Sequence, residues 1–226
     1  MRLTCIVTGL LLAGTNLLAA EEEEEAGPAP EVGLCEEEAK EGFVSLFDGK
    51  TLDGWQGATD GYVAENGVLV CQPGGNLFTA KEYADFIFRF EFKLPPWGNN
   101  GVGIRTPAEG NPAYGGMEIQ ILDDNYKEKY PQLQDYQVHG SIYGVVPAKP
   151  GHQKPIGEWN CEEILCEGSH VKVTLNGVVI VDADLGKIEK PLDGHEHPGL
   201  HNEKGYIGWL GHGSRVEFRN IRIKEL

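Results

Sequence analysis

Apolar and polar residues alternate over several short stretches of this 226-residue chain. The clearest stretch runs from Phe86 to Leu94, where phenylalanine or leucine occupies every second position. A period of two predicts a β-strand with one face in a core, and Pro95-Pro96 ends this strand. The same pattern recurs along the chain, and no stretch shows the period of a long helix.

Two Asn-Gly pairs, Asn66-Gly67 and Asn176-Gly177, predict tight hairpin turns because both residue types accept positive φ. The pattern predicts an all-β domain, and about a dozen strands suit two stacked antiparallel sheets. The predicted strands are Phe43 to Phe47, Tyr62 to Ala64, Val68 to Cys71, Phe86 to Leu94, Val102 to Arg105, Met117 to Leu122, Val138 to Tyr143, Trp159 to Cys166, Val171 to Leu175, Val178 to Val181, Tyr206 to Leu210 and Val216 to Ile223.

Two further expectations concern the terminal strands and the long loops of the predicted sandwich. We expect the first and last strands, near Phe43 and Val216, to lie side by side, because an unpaired edge is a liability. Three long irregular segments, residues 124–137, 145–157 and 184–204, are expected to wall a cleft or carry function.

The first part of the chain differs from the rest in composition. An apolar centre from Ile6 to Leu12 and the small pair Ala19-Ala20 predict a signal peptide over residues 1–20, with a retained anchor as the alternative. Glutamate runs and prolines over residues 21–40 predict an acidic disordered tether. We therefore expect an exported protein, periplasmic or extracellular, with one ordered domain over residues 41–226 and no membrane span in the mature chain.

Charge and cysteine usage narrow the picture further. The formal net charge is −16, and an acidic chain without a basic stripe argues against nucleic acid as a partner. Cys161 and Cys166 lie on opposite faces of one predicted strand, roughly 16 Å apart, which is too far for a disulfide. Cys5 leaves with the predicted signal peptide, so four cysteines remain. We expect at least two buried free thiols among Cys35, Cys71 and this pair, although this even count in an exported chain also permits two disulfides.

The segment from Met117 to Asp124 combines a strand pattern with reactive residue types. Glu118 and Gln120 alternate with apolar residues, so both face away from the core, about 6–7 Å apart along the strand. Asp123 belongs to the opposite face unless a β-bulge turns it back toward Glu118. The alternative is a solvated polar face that ends in a turn.

Several motifs occur in a fixed order over roughly residues 41–226. They are Phe43 to Trp55 (FVSLFDGKTLDGW), Tyr83 to Phe86 (YADF), Asn99 to Arg105 (NNGVGIR), Glu118 to Asp123 (EIQILD), Gly157 to Asn160 (GEWN), Leu175 to Gly177 (LNG), Gly211 to Gly213 (GHG) and Phe218 to Ile221 (FRNI). This series resembles the 3-keto-disaccharide hydrolase domain family. The chain departs from the family at Asn100, where the family commonly has serine between Asn and Gly, and just before His212, where the family often has a step that contains glutamine.

The resemblance implies a concanavalin A-like jelly-roll sandwich of the lectin and glucanase type. It also implies a carbohydrate substrate whose sugar carries a ketone at C3. The ketone acidifies the C2 hydrogen, so a base can remove it, the group on C1 can leave, and water can then add. A non-catalytic glycan-binding module and a conventional retaining glycosidase, which needs two carboxyl groups about 5–5.5 Å apart, are the alternatives.

The candidate catalytic residues are Glu118, Asp123, His139 and Arg105. Arg105 suits either an ion pair with Glu118 or stabilisation of a developing oxyanion, because its planar fork keeps its charge. His139 suits acid or base chemistry near neutral pH, or a structural role. A divalent metal could replace or assist Arg105 as the electrophile, and the sequence indicates no certain cofactor.

The candidate substrate-binding residues are Gln120, Tyr143, Trp159, His212 and Asn100. Trp159, and also Trp97, could offer an aromatic face to a sugar ring, although a core position is the commoner role for tryptophan. The loop histidines His195, His197 and His201 are expected to be solvated.

Overall fold

The computed structural model describes residues 34–72 and 74–226. Its strands are β1 (Val44–Ser45), β2 (Trp55–Gly57), β3 (Tyr62–Glu65), β4 (Val68–Cys71), β5 (Asn76–Tyr83), β6 (Phe86–Lys93), β7 (Asn99–Thr106), β8 (Met117–Leu122), β9 (Asn160–Glu167), β10 (His170–Leu175), β11 (Val178–Asp184), β12 (Gly205–Leu210) and β13 (Glu217–Glu225). The helices are short and are α1 (Glu36–Lys40), α2 (Pro112–Gly115) and α3 (Tyr126–Lys129).

Two antiparallel sheets form the sandwich. The larger sheet has the order β11-β10-β9-β6-β13-β4-β3, with β1 added on β13. The smaller sheet has the order β2-β5-β12-β7-β8. Val44 pairs with Ile223, so the first and last strands lie side by side as predicted. The all-β, two-sheet jelly-roll prediction is confirmed.

Both predicted hairpin turns have the expected backbone. Asn66 and Gly67 have φ of 52° and 80°, and Asn176 and Gly177 have φ of 49° and 83°. Asparagine and glycine tolerate this left-handed conformation, so these turns connect β3 to β4 and β10 to β11 without added residues.

The core lies between the sheets and is rich in aromatic rings. The four phenylalanines that alternate along β6 are each at most 1% exposed, and two of them, Phe88 and Phe90, contact Trp209 from the smaller sheet. The Trp209 ring stacks on Phe218 with a centroid distance of 3.8 Å. The period of two in the sequence therefore reports burial on the inner face of the larger sheet.

The predicted strand from Val138 to Tyr143 is wrong. Residues 138–146 form an irregular segment, here called the edge strap, that bonds to the free edge of β8. The Gln120 amide donates to the Ser141 carbonyl at 3.0 Å, and the Tyr143 amide donates to the Glu118 carbonyl at 2.9 Å. Gly140 and Gly144 have φ of 77° and 75°, which breaks the extended backbone a strand needs.

The predicted tether is also wrong over its last residues. Glu36–Lys40 form helix α1, and the Glu38 carboxylate accepts hydrogen bonds from Arg89 at 3.0 Å and Arg222 at 2.6 Å. These two guanidinium groups hold the helix on the outer face of the larger sheet. Burial alone would raise the pKa of Glu38, but the two arginines lower it below its ordinary value. The predicted signal peptide and residues 21–33 lie outside the described residues.

Two remaining expectations concern buried free thiols and membrane-spanning helices. Cys35, Cys71, Cys161 and Cys166 are free, and Cys71 and Cys166 are buried, which confirms two buried thiols. No helix in residues 34–72 and 74–226 is long and apolar enough to cross a membrane.

Candidate active site

The outer face of β7 and β8 carries the predicted Glu118 and Gln120 side chains. Glu118 pairs with Gly103 and Gln120 with Gly101, so glycines form the floor beside both side chains. A Cβ atom on Gly101 would lie 2.2 Å from Glu118 Oε1. The glycine is therefore required, because it lets the carboxylate lie flat against the sheet.

Three buried acceptor oxygens on this face receive no hydrogen bond from the described residues. They are Glu118 Oε1, Gln120 Oε1 and Asn99 Oδ1. Asn99 pairs with Leu122, so the row from Glu118 to Asn99 extends about 13 Å along the strands. Buried polar atoms in folded proteins nearly always have a partner, so this row, which we call the acceptor row, fits a ligand that brings hydroxyl donors.

His212 connects the acceptor row to solvent. It follows β12 between two glycines, and its Nε2 lies 3.5 Å from Glu118 Oε1. The His212 side chain is 46% exposed, whereas that of Glu118 is 6% exposed. An imidazole at this position can exchange protons with solvent and approach a bound substrate.

Two tyrosines complete the surroundings of Glu118. Tyr143 lies on the edge strap, and its hydroxyl oxygen accepts a hydrogen bond from Gln137 Nε2 at 2.9 Å. Burial, followed by the nearby charges of Asp193 and Glu118, raises the pKa of Tyr114 on α2. The Tyr114 hydroxyl therefore keeps its proton at neutral pH and can donate a hydrogen bond into the site.

A buried Asp–His pair supports Tyr114 and was missed by the sequence prediction. His197 Nε2 lies 3.0 Å from Asp193 Oδ2, and the His197 ring lies 4.7 Å from the Tyr114 ring. His197 is 5% exposed, so the expectation of a solvated histidine is wrong there, although His195 and His201 are exposed. The weak available signal was the Asp-x-x-x-His spacing within a long loop.

Asp193 is held in its charged form. Burial acts in the opposite direction, but hydrogen bonds from the His195 amide and the His197 ring lower the pKa of Asp193 below its ordinary value. A Cβ atom on Gly144 would lie 2.4 Å from Asp193 Oδ2, so the edge strap packs directly on this pair.

Arg105 does not lie beside Glu118, and the predicted placement is wrong. Its φ is 47°, which turns the side chain toward the end of the sandwich. Arg105 is 4% exposed and donates to Asp85 at 2.7 Å and to the carbonyls of Ala84, Gly168 and Asn202. This network ties loops of both sheets together and gives Arg105 a structural role.

His139 points into the core instead of the acceptor row. Its ring lies 5.0 Å from the Phe92 ring, and its Nε2 lies 3.1 Å from Glu162 Oε2 on β9. The Leu122 amide donates to His139 Nδ1 at 3.3 Å. Because Nδ1 is the acceptor, the proton of the imidazole ring is assigned to Nε2. The approach to Glu162 is close but lacks the alignment of a hydrogen bond. The predicted position in the site is wrong because the edge strap turns at Gly140.

Asp123 is not turned toward Glu118, and β8 carries no bulge. Every β8 residue pairs one-to-one with β7. The Asp123 carboxylate accepts from the Trp97 amide at 2.8 Å and from the Asn125 amide at 2.9 Å. Its oxygens therefore serve the backbone of the adjoining loops, and the predicted partnership with Glu118 is wrong.

Two predicted substrate-binding residues also lie elsewhere. Asn100 is fully buried on the core side of β7, beside Tyr62 and Cys71. Trp159 lies on the outer face of the larger sheet, with the Arg219 guanidinium 4.1 Å from its ring centroid. Gln120, Tyr143 and His212 are the candidates that the structure brings together around Glu118.

The described residues contain no group of three or more His, Cys, Asp or Glu side chains that could hold a metal ion. Two clefts of about 520 and 530 Å³ lie away from Glu118, one at Phe47 and Tyr83 and the other at Arg105 and Asn202. Neither contains an oxygen of the acceptor row, so we place the site by its chemistry and not by the size of a cleft.

Comparison with known proteins places the chain in a family. The 3-keto-disaccharide hydrolase of Bacteroides thetaiotaomicron is 27% identical over 279 residues, covering 98% of this chain and 96% of that protein. A Parabacteroides distasonis structure described as a glycosyl hydrolase is 30% identical, with a TM-score of 0.72 over 81% of this chain and 99% of that one. A second such structure from the same organism is 29% identical, with a TM-score of 0.74 over 85% and 98%.

A family model also matches most of this chain. The model described as the 3-keto-alpha-glucoside-1,2-lyase-like domain matches residues 42–224, which include every strand named above except the last residue of β13. The chain therefore belongs to the 3-keto-alpha-glucoside-1,2-lyase-like domain family.

Proposed function

We propose that this protein cleaves 3-keto-glycosides by removing the C2 hydrogen, eliminating the group on C1 and adding water. The family and the name of the Bacteroides relative support a carbohydrate hydrolase of the 3-keto-disaccharide hydrolase type. Export of the mature chain, suggested by the first 20 residues, is part of the same proposal.

The acceptor row carries this proposal. Glu118 Oε1, Gln120 Oε1 and Asn99 Oδ1 are buried oxygens that no described residue satisfies, and they lie on one face over a glycine floor. A sugar presents several hydroxyl donors on one ring, which match such a row. The Glu118 carboxylate can also act as a base, because an acceptor oxygen that receives no hydrogen bond is free to take a proton.

In the proposed reaction, Glu118 takes the C2 proton and the electron pair moves toward the C3 ketone. The Tyr114 and Tyr143 hydroxyls stabilise the enediolate oxygen by hydrogen bonds. The C1–O bond then breaks, the departing oxygen receives a proton from His212, and a double bond forms between C1 and C2. Water adds at C1 and a proton returns to C2, so the net change is hydrolysis.

A conventional retaining glycosidase is less well supported by the geometry. That mechanism needs a second carboxyl group about 5–5.5 Å from the first. Both Asp123 oxygens accept hydrogen bonds from backbone amides, and Asp193 accepts from the His195 amide and the His197 ring. A binding module remains the second class to test, since the acceptor row alone could hold a sugar.

The test compares a 3-keto-glucoside with its parent glucoside. We expect turnover of the keto sugar only, because the C2 hydrogen is too weakly acidic without the ketone. Glu118→Gln should abolish this turnover, while Glu167→Gln, at the exposed end of β9, serves as the matched control. Cleavage of the parent glucoside would overturn the mechanism, and no turnover of either sugar would favour a binding module.

A further inference from the structure

Trp97 has a backbone conformation that a bulky residue rarely adopts. Its φ is 59°, and its side chain is 37% exposed between β6 and β7. Left-handed backbone at a bulky, non-glycine residue is strained, and such strain concentrates at functional sites. The exposed indole therefore calls for an explanation beyond packing.

A buried carboxylate, that of Asp123, stabilises this backbone conformation of Trp97. Asp123 is 3% exposed, and its Oδ2 accepts from the Trp97 amide at 2.8 Å. The next residue is fixed as well, because the Gly98 amide donates to the Pro95 carbonyl at 2.9 Å and the Gly98 carbonyl accepts from the Asp123 amide at 3.0 Å. These hydrogen bonds fix the backbone that carries the Trp97 side chain.

Lys129 connects Trp97 to two other aromatic rings. The Tyr126 and Tyr130 rings at α3 are stacked, with centroids 4.6 Å apart and an interplanar angle of 24°. Lys129 Nζ lies 5.9 Å from the Trp97 ring centroid and 5.3 Å from that of Tyr130. We call Trp97, Tyr126, Tyr130 and Lys129 the aromatic platform. Aromatic faces beside a polar donor suit the apolar face and the hydroxyls of a sugar.

The platform adjoins the far end of the acceptor row. Asn99 follows Trp97 by two residues and contributes the unsatisfied Oδ1. Its side chain also interacts with the Tyr126 hydroxyl. Since Glu118 lies about 13 Å from this end, a ligand that reaches both must contain more than one ring.

We propose that the aromatic platform binds the aglycone of the substrate. A flat group with an apolar face, either a second sugar ring or an aromatic ring, stacks on Trp97 while the keto sugar lies at Glu118. Asn99 Oδ1 accepts a hydrogen bond from the ligand between the two positions. This inference rests on the proposed function, because it assumes that bond cleavage takes place beside Glu118.

The experiment measures kcat/KM for three substrates: a 3-keto disaccharide, 4-nitrophenyl 3-keto-glucoside and methyl 3-keto-glucoside. For each large aglycone we take the ratio of its kcat/KM to that of the methyl compound. Trp97→Ala should lower this ratio about tenfold, and Trp97→Phe should restore most of it. The disaccharide and nitrophenyl arms show which kind of ring the platform prefers.

Trp159→Ala is the matched control, since this tryptophan lies on the outer face of the larger sheet and should leave the ratio at the wild-type value. Equal ratios for wild type and Trp97→Ala, with both proteins folded by circular dichroism, would overturn the platform. If wild type turns over none of the substrates, the proposed function fails separately. Calorimetric binding of 4-nitrophenyl 3-keto-glucoside then decides, with about tenfold weaker binding by Trp97→Ala expected and equal affinity contradicting the proposal.

Discussion

The same two chemical groups, a glutamate and a histidine, meet in two very different parts of this molecule. Glu162 and His139 lie between the sheets, with side chains 0% and 2% exposed and 3.1 Å between Oε2 and Nε2. Glu118 and His212 lie on the outer face of the smaller sheet, 3.5 Å apart, with His212 46% exposed. Glu162 and His139, which we call the sealed pair, cannot contact a substrate. Glu118 and His212, which we call the open pair, can.

The difference shows that access, and not residue type, separates a structural pair from a reactive one. The sealed pair is surrounded by core residues such as Phe92, so removing either partner leaves a buried polar group uncompensated. The open pair costs little to maintain because His212 is solvated. Substitutions at the two pairs should therefore affect different properties, stability in one case and turnover in the other.

The largest effect is expected from Glu118→Gln. The amide preserves the shape of the side chain but cannot take a proton, so kcat for a 3-keto-glucoside should fall about 10³-fold. Steady-state kinetics and a thermal melt together check this. A variant that loses turnover because it is unfolded would say nothing for the catalytic role, so the melting temperature must stay near that of wild type.

Next comes His139→Ala, which acts on the sealed pair. It leaves a cavity and removes the ring nitrogen that lies 3.1 Å from Glu162 Oε2, so the free energy of unfolding should fall by about 3 kcal/mol. Denaturant titration measures this loss, and kcat per folded molecule should keep its order of magnitude. A stable but inactive His139→Ala protein would show that His139 acts in catalysis after all.

The matched change in the open pair is His212→Ala. Losing a proton donor should lower kcat about 10²-fold, whereas the free energy of unfolding should change by less than about 0.5 kcal/mol. The same kinetic and denaturation measurements apply. If stability falls as far as in His139→Ala, the distinction between the two pairs fails.

The smallest effect is expected at Asp193, which contacts His197 behind Tyr114. Asp193→Asn removes a charge that accepts two hydrogen bonds, so stability at pH 7 should fall by about 1 kcal/mol. Because the folded pKa lies below the ordinary 3.8, this stabilisation exists above about pH 4 and disappears as pH falls through the folded pKa. Melting curves of both proteins should therefore converge in acid. A gap that widens in acid would contradict the lowered pKa.

Much of the fold follows from local patterns in the sequence. The alternation from Phe86 to Leu94 and the two Asn-Gly turns report burial and backbone preference, which neighbouring residues determine. The same period of two also determines the faces of Asn100 and Asp123. With Val102 and Ile104 in the core, it places Asn100 on the core side, and without a bulge it places Asp123 opposite Glu118.

The misplaced residues depend on contacts distant in sequence. Arg105 turns because Asp85 and three loop carbonyls accept hydrogen bonds from its side chain. His139 reaches Glu162 because the edge strap bonds to β8, and His197 is buried because its loop folds over Tyr114. No local pattern encodes these positions, so Glu118 and Gln120 could be predicted from the strand, whereas the Asp193–His197 pair beside Tyr114 could not.

The most direct test of C2–H removal is turnover of a 3-keto-glucoside in D₂O, followed by NMR at C2 of the product. Elimination and hydration return a solvent proton to C2, so wild type should give product with deuterium at that carbon. Glu118→Gln and an enzyme-free control should give none over the same period. Complete retention of protium at C2 during wild-type turnover would contradict the account, because the C2–H bond would then never have been broken.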